Sequence, residues 1–502
     1  VLLVRREYFK PRALRLQEAA LRVGPGADFY TVSLGGDPIG YASSTVDTTP
    51  AGVTVEDLTV LDVAALGKVQ RVQAGAVIRL TRGLRLLSFD ATVSAPGADF
   101  RAQGEVHGDS VLTVTVGAGG SAPRTTRVRL NRPIVMSALL PMQLAFGGRL
   151  APGRSYALRV LDPMLLEERD VTVRVLAEST LTVPDSAQLD SATGRWVVAH
   201  RDTVPAWKVA EAYNGIETES WIDRQGRVVS AVSPMGFRME RTAFEIAVEN
   251  WRRSTESGRV AAAGSGDIVA ATAIAADAEI APETLGVFRV RLGNVTLRGF
   301  DLSGGRQALA GDTLTVRREA GVGDRPGQPP PLYSRRLPVL DTALAAELAS
   351  EPLVQSDDPR IQAQARRIVG RERRAGPVAG LLAHWVYENL RKEITISVPS
   401  AVEVLEERRG DCNEHTVLYV ALARALGLPA RTAAGLVYVR GHFYYHAWPE
   451  VWLGRWVAVD PTFDQFPADA THLRFVIGGL ARQVELLRLI GRVHVTVLGS
   501  RD

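Results

Sequence analysis

The chain has a single cysteine, Cys412, and lysine only at Lys10, Lys68, Lys208 and Lys392. One cysteine excludes an internal disulfide and any cysteine-based zinc site, but it leaves the redox compartment open. No apolar run reaches the roughly 18 residues that a membrane-spanning helix needs. No basic block with interleaved aromatics marks a nucleic-acid face, so no nucleic-acid partner is expected. The net charge of +4 is small for 502 residues. The basic pI of about 9.3 comes from arginine, a bias of the kind GC-rich genomes impose. With 46% hydrophobic and 23% charged residues the chain has ample core material and no compositional case for disorder. Its length predicts two or three domains.

Val1-Leu2-Leu3-Val4 ahead of Arg5-Arg6 reads either as the stub of a removed signal or anchor segment or as a trimmed start. Residues 1–27 are therefore set apart as an N-terminal segment. From Asp28 the pattern turns to short strands divided by Gly, Pro and Asp, at a spacing that predicts antiparallel all-β structure. Trp221-Ile222-Asp223-Arg224-Gln225-Gly226-Arg227-Val228 signals a hairpin. Residues 28–253 are expected to form one large, twisted, half-open β domain. One of its faces needs cover, from a helix such as Phe244–Trp251 or from a ligand such as lipid. Residues 254–325 form a smaller β domain opened by a small-residue linker. The Pro326–Pro331 stretch makes 326–340 a stiff linker. Helical spacing returns at Ile361–Arg374 and Gly380–Arg391, within a mixed α and β region spanning 341–502.

Chemistry concentrates in that last region. Cys412 follows a Gly410-Asp411 turn and opens an apolar helical run that stops at Gly427 before Pro429. A lone cysteine is ordinarily an inert buried side chain. A thiol in the first helical turn, however, feels the positive end of the helix dipole, which favours thiolate. Downstream, His446 lies in one strand-like run, and Asp460 ends the next. Nucleophile, imidazole and orienting carboxylate are the groups that thiol acyl transfer requires.

Gly410-Asp411-Cys412, the run Ala421–Arg431, His446-Ala447-Trp448 and Trp456–Thr462 together resemble the core of the bacterial transglutaminase-like superfamily. The resemblance covers roughly Leu340 to Asp502. It implies a papain-like α+β core with a Cys412–His446–Asp460 triad behind the β-rich N-terminal region. The implied reaction is acyl transfer on protein or peptide amides: Cys412 attacks, His446 moves the proton and Asp460 orients His446. Resolution of the thioester by an amine or by water stays open. No metal or organic cofactor is implied. The exported members of the family suggest a periplasmic or cell-envelope location, with membrane proximity through an anchor upstream of Val1. The alternative of a different class is a non-catalytic β-rich envelope binding or assembly protein that carries this domain.

Other residues weigh less. Glu414 reads as an acid complementing the helix dipole, His415 as structural and His442 as a substrate-site candidate. A metal site from His442, His446, Asp460 and His472 lacks the tight spacing of zinc motifs. The backbone N–H of Cys412 is one oxyanion donor; the second is not identified, Trp385 and Asn389 reading as core or surface. Pro449 confines its position to an unpaired or edge side. A three-residue loop at Leu453-Gly454-Arg455 is expected, pairing Trp452 with Trp456 and bringing Asp460 within about 2.6–3.2 Å of His446. The sulfur of Cys412 is expected to face the other ring nitrogen.

Overall fold

Alternating apolar and polar residues dominate the first half of the chain, and the strands they form pair as a long meander. The computed structural model describes residues 23–501 except 66–67, 97, 109, 119–121, 131–133, 148–149, 163–166, 214–215, 257–268, 270–271, 320–341 and 394–399. Most of the N-terminal segment, most of the small-residue linker and the proline-rich linker lie outside the described residues. The chain divides into two compact units, Val1–Val116 with Pro123–Ile268, and Gly117–Ala122 with Val269–Asp502.

The first unit holds one 15-stranded sheet. Its strands are β1 (Gly26–Leu34), β2 (Asp37–Thr48), β3 (Gly52–Ala65), β4 (Lys68–Thr81), β5 (Leu86–Ala95), β6 (Ala98–His107), β7 (Val111–Ala118) and β8 (Arg124–Arg129). They continue with β9 (Val135–Met136), β10 (Ser155–Asp162), β11 (Glu167–Asp190), β12 (Arg195–Tyr213), β13 (Ile216–Asp223), β14 (Val228–Val232) and β15 (Phe237–Thr242). The sheet runs from β8 back to β1, crosses to β15, then runs back to β9. The short β9 lies parallel to β10, while β1 pairs antiparallel with both β2 and β15. Strand alternation explains the inside: Leu112, Val114 and Val116 of β7 are buried while the residues between them are half-exposed. Helix α1 (Leu140–Gly147) adds Leu140 and Leu144 to a core with Val173, Val175, Val209 and Ile222. In the β13–β14 hairpin Asp223 accepts from the backbone of Gln225 and Arg227. Gly226 has φ of 71°, and a Cβ there would meet Met142 backbone at 2.5 Å, so only glycine fits. A five-residue π-helical turn, Glu245–Glu249, leads into α2 (Asn250–Glu256), where the sequence predicts a helix.

The second unit is mixed α and β. A five-stranded sheet contains β16 (Ile274–Ala275), β22 (Ala430–Val439), β23 (His442–Trp452), β24 (Trp456–Ala458) and β25 (Leu473–Ile477). A four-stranded sheet contains β17 (Val287–Gly293), β18 (Gln307–Ala310), β19 (Thr313–Arg317) and the C-terminal β26 (His494–Arg501). Residues 287–317 therefore share their sheet with the end of the chain. A two-stranded parallel pair, β20 (Arg391–Lys392) and β21 (Arg409–Gly410), lies between helices. Four of these helices are α3 (Pro359–Val369), α4 (Ala375–Asn389), α5 (Ala401–Glu407) and α6 (Cys412–Ala425). Helix α6 is buried from Leu418 to Ala423 against α3, α4 and α5, with Val451, Val457 and Val459 closing the same core. The architecture is thus two-part, as the sequence predicts: a large antiparallel β region followed by an α+β region. Among the described residues no helix is long and apolar enough to cross a membrane.

A buried ion triad ties the central strands of the second unit together. Glu450 of β23 accepts from Arg474 of β25 at 2.8 Å and from Arg431 of β22 at 2.7 Å. Burial alone would raise the Glu450 pKa, but the two guanidinium groups hold it below the usual carboxylate range. Glu450→Ala leaves two buried cations facing an empty site. It should cost about 3–5 kcal/mol in equilibrium urea denaturation; a loss under about 1 kcal/mol would show that the triad is not a structural tie.

Candidate functional site

The site grows from the β23–β24 hairpin. Its loop has three residues: Trp452 pairs with Trp456, and Leu453 N–H donates to Arg455 O at 2.8 Å. Gly454 takes the positive φ of 81° that this bulged loop demands. The pairing follows the expected register as far as Ala458 and then stops. Pro449 pairs with Thr432 of β22, and its carbonyl accepts from Val459 N–H. Asp460 leaves the ladder and forms a bridge with Gln465 instead of pairing with Trp448.

Asp460 is fully buried and saturated. Its Oδ2 lies 2.7 Å from His446 Nε2 and 2.8 Å from His472 Nε2. Its Oδ1 accepts from the backbone N–H of Thr462 at 2.7 Å and of Phe463 at 3.3 Å. Burial alone would raise its pKa, but the charge and hydrogen bonds of His446 and His472 hold it far below the usual carboxylate range. His446 is further enclosed by stacking on Phe463 at 5.2 Å and Trp448 at 6.1 Å. His472, which sequence reasoning considered only as a metal ligand, is fully buried and also reaches Asp469 Oδ1 from Nδ1 at 3.1 Å.

These three side chains are a group whose donor atoms lie within 4.8 Å of one another, as a metal site would require. Ligands held at 2.0–2.1 Å on a tetrahedron would sit about 3.3 Å apart. The observed 2.7 and 2.8 Å separations are instead those of hydrogen bonds onto one shared carboxylate oxygen. His442, the fourth residue considered in sequence, is exposed at the start of β23 and outside the cluster.

Cys412 does not belong to this group, and the expected Cys–His–Asp core is corrected on that ground. The backbone N–H of Ala447 lies near its sulfur and lowers the thiol pKa, but burial outweighs it. Cys412 packs against the core cluster that includes Ala447 and Tyr445, while His446 stacks with Trp448 and Phe463. Among the described residues no hydrogen bond joins the thiol to His446. The expected thiolate is also corrected. Burial pushes the Cys412 thiol pKa well up, and the Asp411 and Glu414 carboxylates push it further in the same direction. Asp411 caps α6 through Asn413 N–H at 2.8 Å, and Glu414 accepts from Asp411 N–H at 2.9 Å. This capping box places two carboxyl groups at the helix end whose dipole was expected to favour thiolate. His415 is structural, as its sequence position implies: it is buried, and its Nδ1 lies 2.6 Å from the Asp411 carbonyl that it donates to. Asn389 bonds the backbone of its own helix, and Trp385 packs beside the helical core under Arg408.

Comparison with known proteins agrees with a partial link. Residues 362–461 match the transglutaminase-like superfamily, a minority of the chain. No curated protein matches. A candidate cysteine protease from Cytophaga hutchinsonii is 15% identical over 43% of this chain and 90% of its own, with a TM-score of 0.30. A β-barrel-like protein of the domain of unknown function DUF1849 from Brucella abortus is 12% identical over 44% and 97%, with a TM-score of 0.32. A candidate protease from Parabacteroides distasonis is 8% identical over 76% and 68%, with a TM-score of 0.20. At these scores the three structures establish neither fold nor activity for this chain. The superfamily link stands over residues 362–461 without the Cys-His-Asp core that the resemblance implied.

The depressed Asp460 pKa carries a stability consequence with a fixed sign. The contribution is fully present above the unfolded carboxylate pKa of about 3.9 and is lost as pH falls through the folded value. Asp460→Asn should therefore cost about 3–5 kcal/mol at pH 7. The gap to wild type should narrow below about pH 4 in urea denaturation, whereas a pH-independent gap would show that the carboxylate charge is irrelevant.

Proposed function

We propose that this chain is a non-catalytic, β-rich binding or assembly protein of the cell envelope whose α+β unit serves in recognition. The observation that carries the reading is the placement of the sole cysteine: it lies outside the histidine–aspartate cluster, where burial and the Asp411 and Glu414 side chains push the thiol pKa up. A neutral thiol is a poor nucleophile, so thioester chemistry loses its first step. Within the cluster both Asp460 oxygens and both His472 nitrogens are committed to protein groups. Such commitment holds Asp460 and His472 rigidly in place.

The partner proposed is a protein or peptide surface, not a nucleic acid, and the large antiparallel sheet supplies a scaffold of the size that assembly proteins use. Envelope location is part of the same proposal; fractionation of cells expressing the full-length gene, with the protein recovered only in the cytosol, would reject it. The non-catalytic reading is tested by turnover. Wild type and Cys412→Ala should be indistinguishable when offered a glutamine-rich protein with an amine probe, or the same protein in water alone. Incorporation or cleavage by wild type that disappears in Cys412→Ala would overturn the reading.

A further inference from the structure

His472 directly precedes β25 and has both ring nitrogens aimed at carboxylates. Nε2 lies 2.8 Å from Asp460 Oδ2, and Nδ1 lies 3.1 Å from Asp469 Oδ1. An ionised carboxylate can only accept, so each contact requires a proton on the ring nitrogen, and a neutral imidazole has one such proton. Neither carboxylate is free to supply the missing hydrogen. Asp460 already accepts from His446 and from two backbone N–H groups. Asp469 Oδ1 also accepts from Thr471 N–H at 2.8 Å and the Thr471 hydroxyl at 2.6 Å, and its Oδ2 accepts from Gln465 Nε2 at 2.8 Å.

We infer that His472 is a buried imidazolium that clasps Asp460 to Asp469, fixes residues 460–472 between them, and releases that segment at alkaline pH. The segment matters because Phe463, Gln465 and Asp469 form one wall of an open cavity of about 850 Å³. Residues 276–283 and 437–441 line the rest of it. The clasp therefore holds one side of this recess in place. The inference does not depend on the non-catalytic reading.

The other charged and titratable groups nearby leave the clasp as the dominant effect. His446 lies edge-on at 5.8 Å between ring centroids and shares Asp460. Arg306 approaches the His472 backbone carbonyl at 3.3 Å and the Ala468 carbonyl at 2.7 Å, and is itself paired with Glu319. Arg474, two residues on, is paired with Glu450. Trp448 covers the ring at 5.1 Å and carries no charge. Burial alone would lower the His472 pKa, yet the hydrogen bonds and charges of Asp460 and Asp469 raise it above the usual histidine value. A raised folded pKa gives stabilisation that is complete below the unfolded value of about 6.5 and is lost as pH rises through the folded one.

The test uses the full chain. Nitrogen-15 NMR on histidine-labelled protein should show both His472 nitrogens protonated at pH 7, with the assignment made by loss of the signal in His472→Gln. Hydrogen exchange of residues 460–472, corrected for intrinsic rate, should accelerate at least tenfold as the ring titrates, while residues 412–425 stay protected. His472→Gln should exchange at the fast level at every pH. A neutral His472 ring at pH 7, or a charged ring whose titration leaves exchange of 460–472 unchanged, overturns the inference. If His472→Gln fails to fold, His472 is assigned in wild type as the imidazole near the Trp448 ring but not near Phe463, which stacks on His446, and both outcomes stay readable.

Discussion

The second unit is organised around one carboxylate. Asp460 has no solvent, yet it stays charged, and a buried charge survives only when every lone pair is answered. Two imidazoles and two backbone N–H groups answer it. The donors come from three places: the middle of β23, the residue before β25, and the turn that follows Asp460 itself. Meeting this one constraint fixes the path of residues 460–472, ends the β23–β24 ladder at Ala458, and stacks Phe463 over His446. The Glu450 triad repeats the logic with one carboxylate between two guanidinium groups.

The start of helix α6 illustrates how local rules can compete. A thiol at a helix N-terminus gains from the dipole by at most about 2 kcal/mol in favourable geometry. Here the same N-terminus is satisfied by the Asp411 and Glu414 side chains, and both raise the pKa of their neighbour's thiol. Desolvation acts in the same direction and is the largest contribution. Both acids stand beside Cys412 in the sequence, and Glu414 is readable there as a complement to the dipole. The effect on the thiol follows only when the capping box and the enclosure of the sulfur are seen together.

Much of the fold was legible because it is local. Period-two alternation with Gly, Pro and Asp punctuation gave the meander, the Asp223–Gly226 link gave its hairpin, and the glycine stop at Gly427 bounded α6. Loop length gave the Trp452–Trp456 register; His446 meets Asp460 as expected, but after Asp460 has left that ladder to bridge Gln465. Contacts between distant stretches left no such trace. Nothing in the sequence pairs β17 with β26, or sets Arg431 and Arg474 on Glu450. His472 was visible as a residue type, but its role depends on Asp469 three residues before it and Asp460 twelve before it, meeting only after the chain has turned. The triad order Cys, His, Asp was legible too, and it misled: residue identity in order does not put Cys412 into the group that His446, Asp460 and His472 form.

The central claim is that Cys412 is a neutral thiol outside the acid–imidazole cluster. Because the chain has one cysteine, its ionisation can be followed without ambiguity by thiolate absorbance, as the difference between wild type and Cys412→Ala across a pH titration. The account predicts ionisation only above the ordinary thiol range of about 8.5. A thiolate already formed at pH 6 would contradict it and return Cys412 to the centre of the site.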